Sequence, residues 1–111
     1  MEKPVKGDVV VIPFPFSDLS ASKRRPALII AALQGDDAIL CQITSQSRND
    51  DYSVSLDYSD FKQGKLSVSS NIRPNKLFIA DKSIIQYKVG SLKDKKLKEV
   101  IDSTVNIIKG D

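Results

Sequence analysis

The sequence predicts a mainly β fold (α+β class) closed by one C-terminal helix, and three observations carry that expectation. Short apolar runs rich in Val and Ile follow one another closely as far as Asp81, each bounded by Gly, Pro, Asp or Ser. Beyond Leu97 the apolar period changes from two to steps of three and four. At 111 residues the chain has room for one core, so strands and helix must share it as a single domain over residues 1–111. Several short strands with one helix point to a small, strongly bent sheet or barrel, covered on one side by the helix.

"GDVVVIPFPF" places a buried strand over Val9–Ile12, and Pro13 and Pro15, which have no N–H to donate, are expected to end its ladder. Ser17 to Arg25 reads as a loop. "PALIIAAL" is a second strand, "QGDDA" a turn, and "AILCQITS" a third strand, so strands two and three form a hairpin. After the polar loop "SRND", Tyr52, Val54, Leu56 and Tyr58 alternate with Ser53, Ser55 and Asp57, the period of a half-buried strand. "KLSVSSNIRPNKLFIAD" supplies one or two more strands, with a break expected at Pro74. Leu97, Val100, Ile101, Thr104, Val105 and Ile108 then mark one face of a helix. "SLKD" (Ser91–Asp94) has the form of a capping box, and Gly110 suits the C-terminal end.

Composition excludes several kinds of chemistry. No apolar run approaches a membrane span and the N-terminus lacks a signal-peptide core, so the expected location is the cytoplasm. Histidine is absent and the one cysteine, Cys41, sits in the apolar-flanked run "AILCQI" as a core residue. A zinc site is therefore not expected, and acid–base chemistry must proceed without its usual residue. The net charge of +3 is mild, but it is unevenly spread. Lys93, Lys95, Lys96 and Lys98 read as the solvated face of the early helix. Lys23, Arg24 and Arg25 stand at the mouth of an apolar strand, either as a solvated loop or as a wall awaiting something anionic.

The ordered series "GDVVVIPFPF…KRRPALII…QITSQ…SNIRPNKLFIADKSII" resembles the MazF/PemK/Kid family, the toxin halves of bacterial toxin–antitoxin pairs. The resemblance runs from Gly7 to about Ile85, and the terminal helix fits as well. It rests on a Gly-Asp opening strand, an Arg-Pro at the head of strand two and an Ile-Thr-Ser at the end of strand three. The resemblance implies an SH3-like barrel, a homodimer, and sequence-specific cleavage of single-stranded RNA without metal or cofactor. It also implies a cognate MazE/PemI-like antitoxin that lays an acidic segment over the RNA groove.

Carried over by motif, Arg25, Thr44 and Arg73 are the candidate catalytic residues. Arg24, Ser45, Gln46, Phe16 and Asn75 are candidate substrate contacts. Metal-free cleavage uses the ribose 2′-OH as an internal nucleophile, so the protein must stabilise a phosphorus centre gaining charge. A guanidinium suits this task because its planar fork meets two phosphate oxygens and stays charged. One departure stands out: several relatives carry an aspartate two residues beyond the later arginine, and here that position is Asn75. An amide is not a base at neutral pH. Asp18 in the first loop is the alternative base; charge stabilisation alone, or slow cleavage, are the other solutions. Phe16 can meet a base or pack in the core, and Arg73 can face the groove or a surface carboxylate. Two other readings keep the fold: a CcdB-type toxin that binds DNA gyrase, and a silent member that binds RNA or antitoxin only. CcdB-type toxins depend on a tryptophan near the C-terminus, and this chain has none.

Overall fold

The computed structural model describes residues 3–14, 23–45 and 51–110. Seven strands and one helix follow in order: β1 (Asp8–Phe14), β2 (Lys23–Ala32), β3 (Asp37–Thr44), β4 (Val54–Leu56), β5 (Phe61–Gly64), β6 (Ser70–Asp81), β7 (Tyr87–Leu92) and α1 (Asp94–Lys109). Short 3-10 turns at Tyr58–Asp60 and Lys82–Ile84 join β4 to β5 and β6 to β7. All strand pairings are antiparallel, in the order β4-β6-β3-β2-β1-β7-β5.

Connectivity forces this sheet to curl. The first and last strands of that order, β4 and β5, are five Cα steps apart in the chain, from Leu56 to Phe61. Even fully extended, that link reaches only about 17 Å. A flat sheet of seven strands would hold its edges roughly 29 Å apart. The two edges instead converge: Val54 and Leu56 of β4 and Phe61 of β5 lie in one buried cluster with Val9, Leu28, Cys41, Ile43, Ile72 and Leu92. Val100 of α1 belongs to the same cluster and Leu97 packs against it, so the helix covers that side. On the other face Val10, Ile12, Ala27, Ile29, Ala38, Leu40 and Ile85 form a second cluster. Central strands buried on both faces need continuous rather than alternating apolar runs, which is why "VVVI" and "ALII" lack a clear period.

Several sequence expectations change. Pro13 does not end β1, and Arg24 and Arg25 are not in a loop: Pro13 pairs with Arg24 and Ile12 with Arg25. Beyond Val11 no pairing of β1 with β7 continues, so the donor that proline lacks is not called for on that side. Pro74 does not break β6 either. Arg73 stands opposite Gln42 while Leu77 stands opposite Cys41, which leaves Pro74, Asn75 and Lys76 in a bulge that tolerates the missing N–H. The alternating stretch around Val54 yields only a three-residue strand, and Tyr52 and Tyr58 are exposed. Strands β5 and β7 were not expected from the pattern.

"SLKD" is not a capping box. Ser91 and Leu92 complete β7, the Ser91 hydroxyl donates to Asp8 Oδ1 over 3.0 Å, and the helix begins behind Lys93 with no side-chain cap. Gly110 does close the helix, at φ 82°, with its N–H shared by the carbonyls of Asn106 and Ile107. Lys96 is not a solvated lysine. Its Nζ donates to the Ser55 carbonyl at 3.0 Å and pairs with Glu99 at 3.1 Å and Asp60 at 3.8 Å, docking the helix onto β4 and the turn beyond it. Cys41 is a core residue, fully buried. Among the described residues no helix is long and apolar enough to cross a membrane.

Candidate functional site

Strand register brings the two leading candidates together. Ala27 pairs with Gln42 and Leu28 with Cys41; Arg25 and Thr44 stand two residues beyond the pair of Ala27 and Gln42, each on the same side of its strand as Ala27 and Gln42. On the other flank of β3, Thr44 pairs with Asn71 and Gln42 with Arg73. Residues directly opposite in a ladder share a face. Thr44 and Asn71 thus share one face across β3 and β6, and Arg73 sits one diagonal step from Thr44, about 7–8 Å between side-chain bases.

At these strand ends lies an open groove of about 350 Å³. One wall is Arg24, Arg25 and Pro26 from β2 with Ile43, Thr44 and Ser45 from β3. The other is Leu66, Ser67 and Val68 with Ser70, whose hydroxyl donates to the Val68 carbonyl at 3.1 Å and holds that wall in place. Thr44 is almost wholly buried, 3% exposed, and forms the floor. Arg25 is half-buried, while Arg24 and Ser45 stand exposed at the rim. Two arginines and several hydroxyl-bearing residues line the groove, with no carboxylate among the lining residues. Charge of one sign in a cleft with apolar walls concentrates its field, which suits a phosphodiester and repels a cation.

The remaining sequence candidates are placed differently. Arg73 does not line this groove, and its Nε is shut away from solvent. Asn75 is exposed in the β6 bulge, also outside the groove. Phe16, Asp18 and Gln46 lie outside the described residues. The second wall is not legible in the sequence, because "KLSVSS" reads as strand; the serine spacing at 67, 69 and 70 is the available signal. Among the described residues no group of three His, Cys, Asp or Glu side chains could hold a metal ion.

Fold and groove together define a strongly curled, half-barrel antiparallel sheet covered by one helix, with arginines and hydroxyl residues lining a groove at its strand ends. Residues 5–108 match the model of the PemK-like, MazF-like toxins of type II toxin–antitoxin systems, and the chain belongs to that family. Its fold is that of several solved toxins. An endoribonuclease from a mycobacterial species, solved with its cognate antitoxin, superposes with a TM-score of 0.77 at 13% identity, covering 96% of each chain. MazF of Deinococcus radiodurans gives 0.76 at 20% identity over 100% of both chains, and a MazE–MazF structure from that organism 0.75 at 18% over 97% of both. No curated protein matches the sequence.

Proposed function

We propose that this chain is the toxin of a toxin–antitoxin pair and acts as a sequence-specific, metal-independent endoribonuclease on single-stranded RNA. The observation that carries the reading is that Arg25 and Thr44, from neighbouring strands, line one solvent-open groove. Family membership and the likeness to a solved endoribonuclease support it.

In this reading a phosphodiester lies across the groove. The ribose 2′-oxygen attacks phosphorus as the bond to the 5′-oxygen breaks, leaving a 2′,3′-cyclic phosphate and a 5′-hydroxyl; the proton lost from the 2′-OH is returned to the leaving oxygen. The Arg25 guanidinium meets the two non-bridging oxygens as they gain charge, and Thr44 donates its hydroxyl to one of them. Arg24 and Ser45 hold the neighbouring backbone, and Arg73 adds positive potential from β6. The groove residues described hold no group that is basic at neutral pH, so charge stabilisation is their contribution and water carries the proton. Metal independence follows the same logic, since guanidiniums stand where a cation would need anionic ligands. The partners are single-stranded RNA, a second copy of the chain, and a MazE-like antitoxin, the last supported by the solved MazE–MazF complex.

The test is incubation of purified protein with a long single-stranded RNA in excess EDTA. The expected result is cleavage at a few fixed sites with cyclic-phosphate ends, slowed about a hundredfold by Arg25→Ala. Intact RNA together with inhibited gyrase supercoiling would overturn the assignment in favour of a CcdB-type action.

A further inference from the structure

We propose that the cavity behind the Leu66–Ser69 wall is a nucleobase subsite that selects guanine in the strand held by the Arg25 groove. This rests on the RNA-binding reading above. The cavity, about 160 Å³, shares Leu66, Ser67 and Val68 with the groove, so the two are neighbouring compartments divided by one ridge of chain. That volume lies below the roughly 300–1,000 Å³ of pockets for drug-sized ligands and suits a single planar ring system.

The chemistry of the lining points to a base rather than to backbone. Leu56 and Phe61 give an apolar floor. Tyr58 is 73% exposed at the rim, an aromatic ring left outside the core beside a cavity. A base laid on such a ring gains stacking whatever its identity. Asp57 supplies the discrimination. A carboxylate repels phosphate, so in a phosphate-binding groove it belongs against a base edge that offers donors. Guanine alone presents two adjacent N–H donors, N1–H and N2–H, to the two oxygens of one carboxylate; uracil sets its single N–H between two carbonyls, which a carboxylate repels.

Asp57 is also held in place. Ser69 donates its hydroxyl to Oδ1 at 3.3 Å across the mouth. The Asp57 N–H donates to Asp60 Oδ2 at 2.8 Å, and Asp60 in turn pairs with Lys96 of the helix. A carboxylate braced in this way loses little freedom on meeting its base.

The experiment measures binding and cutting separately. Fluorescence anisotropy follows nine-nucleotide 2′-O-methyl RNAs, which lack the nucleophile and stay intact: all uridine, or with one central guanosine, inosine, adenosine or cytidine. Guanosine should bind about tenfold tighter than uridine, and inosine, which lacks the 2-amino group, should fall between them. Asp57→Asn should erase this ranking, while Tyr58→Ala should weaken every sequence about tenfold and keep the ranking. Both positions are exposed, so both variants should keep the wild-type melting curve. Equal binding of all five RNAs by the wild type, or an unchanged ranking in Asp57→Asn, overturns the subsite whether or not RNA is cut. A guanosine preference lost in Asp57→Asn, with cleavable RNA left intact by the wild type, upholds the subsite and removes the nuclease assignment.

Discussion

The hydroxyl of Ser91 donates to the carboxylate of Asp8 over 3.0 Å, joining the last strand to the first across a separation of 83 residues in the chain. Asp8 also receives the Val5 N–H at 3.0 Å and the Lys88 ammonium at 3.4 Å, and it is buried. Removing the carboxylate leaves a buried hydroxyl and a half-buried ammonium without it, a cost of about 2–4 kcal/mol. Asp8→Ala should lower the urea midpoint accordingly. Asp8→Asn should cost less, since the amide oxygen still accepts. Equal stability of Asp8→Ala and wild type would refute the role of this contact.

Arg25 should matter to rate and little to stability. Arg25→Ala is expected to reduce kcat about a hundredfold while changing unfolding free energy by less than ~1 kcal/mol, because the side chain is only half-buried. Arg25→Lys should recover little, since an ammonium cannot span two phosphate oxygens. Full activity in Arg25→Lys would show that bidentate contact is not used.

Thr44 separates hydroxyl from shape. Thr44→Val keeps volume on a floor that is 3% exposed and should lower kcat about tenfold, whereas Thr44→Ser should retain most of it. A Val variant as fast as wild type would remove the hydroxyl from the mechanism.

The register of β5 against β7 depends on two glycines in contact. A Cβ on Gly64, at φ 74°, would collide with the Val89 carbonyl, and one on Gly90 would meet the Gln63 carbonyl. Either Gly→Ala change should therefore destabilise the fold by about 3 kcal/mol or more, read as a lower melting temperature. Gly35, with open space around it, should be far more tolerant apart from its positive φ of 83°.

Burial pushes the Cys41 thiol up from 9.0 to about 11, with the Thr104 hydroxyl pulling weakly the other way. The folded state then keeps its proton where the unfolded chain has lost it. The contribution to stability is complete below pH 9 and is lost as pH rises towards 11, by about 2–3 kcal/mol. Cys41→Ala should flatten that alkaline decline in urea unfolding. Native protein at pH 8 should resist alkylation that the unfolded chain undergoes readily.

Strand and helix identity were legible wherever local chemistry acts alone. The hairpin of β2 and β3, the apolar face of α1 and its Gly110 stop follow from side-chain period and from one left-handed residue. Ser91 shows where local rules fail: "SLKD" has every feature of a cap, yet the serine is spent on Asp8 and its strand on Val9 and Phe61. Pro74 shows the same, since a bulge absorbs what a regular ladder would reject.

By itself the sequence determined the class of fold, the burial of Cys41 and the candidates Arg25 and Thr44, because apolar period and short motifs are properties of neighbours along the chain. Only the tertiary structure decided that these two residues line one groove, that Leu66, Ser67, Val68 and Ser70 form the facing wall, and that Arg73 and Asn75 stand outside it. The reason is physical: strand register and a link too short to leave the sheet flat set distances between residues far apart in sequence, and no local preference encodes them.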